Sequence, residues 1–260
     1  MPDTDTYPTT SDLAMGVSPD ALRRSDRLGA AAGAAFVACI LVGNSMTESV
    51  VGSDASATGT AADLAAQATS GVVRAGLALE LVGLLLLGVF AATTAVLGWR
   101  RSGAATLPVL VAGAGLLVAA VKLSSAAPYL AALAADGMAD EVRHALVQTN
   151  DAAFVLTWLP FAVMVGSMAV LLLRAGLVGR VLAVVGLVLA GLGGVAALVG
   201  FSSPATALPV PFLLSLLWTV AVSVRVSAHR GYGGAKVRTS RSRTRDDAAS
   251  GWSRSAPSPR

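Results

Sequence analysis

Two ionisable residues stand in apolar stretches that have no ordinary use for them. Glu80 lies within Ala75 to Trp99 and Lys122 within Ala104 to Ala127, with Arg100-Arg101 between the stretches. Glu80 precedes Arg101 by 21 positions and Lys122 follows it by 21. An antiparallel helical hairpin turning at that point brings both charges to one depth, about 7 Å inside each span at helical rise. A lone charge there costs up to about 3 kcal/mol on insertion scales, so an ion pair is the expected arrangement. Lysine changes protonation readily on burial, so the pair has the chemistry to fix a helix register, hold a polar solute or carry a proton. Asn44, near the end of the first apolar run, and Asn150 with Asp151, opening the fourth, fall on the same side and would complete a polar vestibule.

Other reactive residue types form no comparable set. His144 follows Asp140 by four residues, a spacing that can put two metal ligands on one helix face. The second histidine, His229, falls across the membrane, so neither a metal site nor any cofactor is expected. No paired acids or Ser/His arrangement occurs at membrane depth, and an enzyme is not expected. Cys39, the single cysteine, follows Phe36-Val37-Ala38 and loosely resembles a lipoprotein cleavage box. The apolar run continues through Ile40, Leu41 and Val42, which favours a small buried helix residue.

Composition sets the class. Of 260 residues, 55% are hydrophobic and 13% charged, with mean hydropathy +0.70, against about 25% charged in soluble domains. The apolar residues fall in blocks of about 20, enough to cross a hydrocarbon core of about 30 Å. The expectation is an all-α polytopic bundle of six spans: 28–46, 75–99, 104–127, 152–173, 177–201 and 210–226. Residues 1–17 read as a disordered tail and 18–27 as a juxtamembrane helix opened by Ser18-Pro19-Asp20. Residues 227–260 read as a disordered basic tail.

Even span number places both termini on one side, and arginine selects it. Arg23, Arg24, Arg27, Arg100, Arg101, Arg174, Arg180 and the tail share one side, against only Arg74 and Arg143 on the other. Positive charge stays cytoplasmic, so both tails are expected in the cytoplasm. Two longer outer loops are expected to hold a short helix around Ala61 to Ala68 and, over Met138 to Asn150, an interfacial helix or one packed over the bundle, with Met138, Val142 and Leu146 on one face. The tail arginines suit anionic lipid headgroups. They lack the aromatic or folded module that nucleic-acid binding would add. Seventeen arginines against two lysines, with abundant Ala, Gly and Val, suggest a GC-rich bacterial genome and hence a bacterial plasma membrane.

Stripes of small residues aim the charges. Gly76, Glu80, Gly83, Leu87, Ala91 and Thr94 form one, and Ala112, Gly115, Ala119 and Lys122 another; such stripes face helices rather than lipid. Gly186, Ala190 and Gly194 form a third, suited to the bundle, a homodimer or a membrane partner. Pro160 lies inside the fourth span, and Pro209 and Pro211 mark entry to the sixth. Arg74-Ala75-Gly76-Leu77 recurs as Arg174-Ala175-Gly176-Leu177, too short to argue duplication.

Six spans, two long outer loops, Asp151 opening the fourth span, the Leu173 to Leu177 turn and Trp218 in the sixth resemble an uncharacterised actinobacterial family of integral membrane proteins, over about residues 26 to 228. The resemblance implies the architecture and no reaction, cofactor or binding residue. The functional expectation is a non-enzymatic sensor or assembly component. The alternative is a small transporter with a polar or proton-linked site around Glu80 and Lys122.

Overall fold

A computed structural model describes residues 19–47, 56–68, 70–134, 137–202 and 209–228 of the chain. These form seven helices: α1 (Pro19–Thr47), α2 (Ala57–Ala68), α3 (Gly71–Ser102), α4 (Thr106–Ala134), α5 (Asp140–Arg174), α6 (Arg180–Ser202) and α7 (Val210–Ala228). No strand occurs among the described residues. All but α2 are long and apolar enough to cross a membrane, so the chain is an all-α, six-span multi-pass membrane protein.

Several helices outrun the hydropathy blocks that announce them. The juxtamembrane segment and first span are one helix, α1, which begins at Pro19, where a missing N–H is harmless. Ser70 caps α3 through Val73 N–H, so that helix starts a turn before Ala75 and includes Arg74. The third span continues through Pro128 to Ala134 rather than stopping at Ala127. The expected interfacial helix is not separate: Asp140 to Arg174 is one continuous helix through Pro160. Its apolar face also differs, because Val142 is exposed and Val147 is the buried residue. The last helix takes in Ser227 and Ala228, which were expected in the tail. Residues 1–18 and 229–260 lie outside the described residues, and with them the expectations of disordered tails and of a lipid contact.

Tight turns at one end are built by glycine. Gly103, at φ 68°, ends α3 and donates its N–H to the Trp99 carbonyl. Gly176, at φ 66°, follows α5. A side chain at either position would suffer the left-handed penalty. Arg100 and Arg101 fill the last turn of α3, where cations complement the helix dipole. Arg100 pairs with Asp26 of α1 at 3.5 Å, and Arg101 reaches the Ala175 carbonyl at 3.5 Å. The arginine-rich end of the bundle is thereby tied across three helices.

The spans close into a ring in which each packs against its neighbours: α1 on α3, α3 on α4, α4 on α5, α5 on α6, α6 on α7 and α7 back on α1. The fourth span, α5, is the most enclosed of the six. Its Phe161, Met164, Val165, Met168, Leu171 and Leu172 fill the core with Leu87, Phe90, Val111 and Val222. Large apolar side chains such as Leu85, Val109, Leu116, Val181 and Leu198 face outward, as a lipid-exposed surface requires.

Glycines set the closest approaches. A Cβ on Gly43 would lie 2.9 Å from the Gly76 carbonyl oxygen, and one on Gly76 would lie 2.9 Å from the Gly43 carbonyl oxygen. Both helices approach through bare backbone. All six residues of the α3 stripe, Gly76 through Thr94, are buried. On α6, Gly186 lies against Trp218 and Ala190 against Gly166, whereas Gly194 meets nothing. That stripe therefore serves the bundle over its first two positions. The repeated tetrapeptide has no common structure, being helical at Arg74 and a turn after Arg174.

Candidate functional site

The close crossing of α1 and α3 positions the site. On the antiparallel α3, Gly43 faces both Gly76 and Glu80 while Thr47 packs over Gly76. The Glu80 side chain leans back toward the start of its helix, where Thr47 Oγ1 donates to Glu80 Oε1 at 3.1 Å. The α3–α4 hairpin supplies the cation: Lys122 Nζ lies 3.5 Å from Glu80 Oε2. The ammonium also sits 4.7 Å from the ring centre of Phe154 on α5, a cation–π distance. Glu80 is buried, with its side chain 11% exposed, and that of Lys122 is 18% exposed. Each charge has a partner and neither faces lipid alone.

Around this pair is a cavity of about 270 Å³. It is lined by Asn44, Glu80, Lys122, Asn150 and Asp151, so the structure brings together all five residues that the sequence points to. They come from α1, α3, α4 and α5. Asn150 Nδ2 donates to Asp151 Oδ1 at 3.4 Å, the only hydrogen bond of that carboxylate among the described residues. The amide of Asn44 makes no side-chain hydrogen bond among the described residues, although its backbone carbonyl accepts from Thr47.

The remaining walls lack an evident sequence signal. Helix α2 is too short to span and packs against α4 and α5 through Leu64, Ala132 and Val147. It carries the buried Gln67 to the cavity, where Tyr129 OH donates to Gln67 Oε1. Tyr129 sits just beyond Pro128, in the part of α4 that outruns the apolar block. Leu77, Ala126 and Val147 complete an apolar flank.

Aromatic rings close the inner end. Phe154 packs edge-on against Trp158 and against Phe212 of α7, with centroids 5.9 and 5.8 Å apart. Trp158 stacks on Phe212 at 5.9 Å, and Phe161 lies 5.3 Å from Phe212. Beneath Phe154 is a second cavity of about 30 Å³, lined by Phe36, Ile40, Thr157 and Phe161. Asn44, Lys122 and Phe154 border both cavities. The spacing Phe154, Trp158, Phe161 is a helical i, i+4, i+7 pattern that could have revealed this floor.

Two other sequence candidates stand apart. His144 Nε2 lies 2.8 Å from Gln148 Nε2, one turn on along α5, and neither borders the cavity. Cys39 lies in mid-α1, half-buried beside Gly83. No family model, curated protein or solved structure matches the chain.

Proposed function

We propose that this chain is a non-enzymatic protein of a bacterial plasma membrane, with both termini cytoplasmic, that senses a small polar solute through an outward-facing vestibule. The observation that carries this reading is convergence: seven polar or charged residues from four separate spans line one cavity of about 270 Å³. That is just under the roughly 300–1,000 Å³ of drug-sized ligand sites, which suits a small solute. Orientation follows the arginines, since Arg24, Arg27, Arg100, Arg101, Arg174, Arg180 and Arg225 share one end and only Arg74 and Arg143 the other. The basic tail after Ala228 would then face anionic lipid or a cytoplasmic partner.

Transport is the second reading, favoured by one observation: Phe154 alone of the aromatic rings borders both the vestibule and the smaller cavity beneath it. Rotation of one ring would join them.

A single labelling experiment tests vestibule and orientation. In a Cys39→Ala background, Ala126→Cys on the cavity wall should react with a small membrane-impermeant methanethiosulfonate applied to intact cells. Ser102→Cys, at the opposite end, should react only after permeabilisation. The reverse pattern overturns the orientation, and an Ala126→Cys protein inert under both conditions overturns the vestibule.

A further inference from the structure

The charges within the vestibule differ in how far they are already engaged. Both oxygens of Glu80 have partners, Oε1 with Thr47 and Oε2 with Lys122. Lys122 has three N–H donors and meets only one carboxylate oxygen, at a distance longer than the 2.7–2.9 Å typical of strong charged pairs, and one ring. Donor capacity therefore remains on the ammonium. Asp151, also on the cavity wall, has a single 3.4 Å contact with the neighbouring Asn150. It forms no ion pair among the described residues. The connecting segments at this end, 48–55, 69, 135–136 and 203–208, contain Glu48, Asp54 and Asp136 and neither lysine nor arginine. They have no cation to offer it.

We infer that the vestibule binds a small zwitterion of the amino-acid class, with its carboxylate on Lys122, its ammonium on Asp151 and its apolar part against Leu77, Ala126 and Val147. This rests on the vestibule being a binding site, and it names the ligand. A purely cationic ligand would face the ammonium of Lys122 with no use for its spare donors. A purely anionic one would leave Asp151 uncompensated beside it. A zwitterion uses both, meeting the Asp151 carboxylate with its ammonium and the spare donors of Lys122 with its carboxylate. The amides of Asn44 and Asn150 can accept from the ammonium or donate to the carboxylate.

The full chain in phosphatidylglycerol nanodiscs, which carry no zwitterionic headgroup, can be titrated calorimetrically with three matched probes. Leucine carries both charges, 3-methylbutylamine lacks the carboxylate and 4-methylpentanoate lacks the ammonium. Leucine should bind saturably, and each singly charged probe should bind at least about tenfold more weakly. Asp151→Asn, on the exposed rim, should preserve the fold and weaken leucine by a similar factor, whereas Lys122→Met leaves Glu80 without its cation. Repeating the titration in phosphatidylethanolamine separates the sources. Persisting leucine binding supports a free solute, and loss of it supports the same zwitterionic chemistry supplied by a lipid headgroup. Equal binding of all three probes, preference for either singly charged one, or no binding at all overturns the ligand class. If Ala126→Cys is nonetheless labelled from outside, the vestibule itself stands; if it is not, the binding-site reading fails too.

Discussion

Lys122 Nζ stands between two unlike partners, 3.5 Å from the Glu80 carboxylate on one helix and 4.7 Å from the Phe154 ring centre on another. One ammonium thus links α3, α4 and α5, and its removal would be felt in all three. Lys122→Met alone should destabilise the protein by about 2 kcal/mol, between the values for surface and fully buried pairs. Adding Glu80→Gln should recover most of that loss, because the buried anion goes with the cation. Reversible unfolding in detergent would measure both. A double variant as unstable as the single one would mean that Glu80 is held mainly by Thr47.

Thr47 reaches Glu80 only because nothing lies between α1 and α3 at Gly43 and Gly76. Gly43→Ala would put a methyl 2.8 Å from Glu80 Cγ and 2.9 Å from the Gly76 carbonyl oxygen. Backbone cannot yield as a flexible side chain can, so the helices must part, at about 1–3 kcal/mol. Gly113→Ala is the control, since a methyl there meets nothing within 4 Å, and it should be neutral or slightly stabilising. Equal stability of the two variants in thermal melts would show that α1 and α3 do not cross so closely.

The membrane class and the pairing of Glu80 with Lys122 were legible because both follow from simple geometry: apolar block length and helical rise. Helix ends were less legible. Hydropathy reports where lipid stops, whereas Ser70 capping and the continuation through Pro128 depend on backbone hydrogen bonding beyond it. Tyr129, beyond the apolar block, therefore gives no hydropathy signal as a wall residue. Asn44, Asn150 and Asp151 could be placed on one side by counting, but their convergence needs the ring order of the helices. Gln67 lay beyond reach for another reason. It comes from an alanine-rich segment whose pattern does not say which face docks.

Across the bundle, Trp218 Nε1 donates to the Leu182 carbonyl at 2.8 Å while its ring covers Gly186. Trp218→Phe should lose about 1 kcal/mol with the hydrogen bond. Gly186→Ala should do worse, by about 1–3 kcal/mol, because its methyl would lie 2.6 Å from Trp218 Cζ2. Combining Gly186→Ala with Trp218→Leu tests the cause, since the smaller side chain makes room. Stability of the pair should exceed the sum of the single effects in a double-mutant cycle. Simple additivity would place the alanine clash elsewhere.

Phe154 decides between a sensor with a closed floor and a transporter with a gate. Thr157, one turn deeper on α5, lines the smaller cavity, and its hydroxyl donates to the Phe154 carbonyl at 2.6 Å. With Phe154 in place, Thr157→Cys in a Cys39→Ala background should be inert to a methanethiosulfonate applied from outside, although Ala126→Cys reacts. Phe154→Ala should make Thr157→Cys reactive by joining the two cavities, with a stability loss of about 3 kcal/mol. If Thr157→Cys reacts as fast with the ring as without it, Phe154 already swings aside at rest. The floor would then be a gate, and the transport reading would displace the sensor.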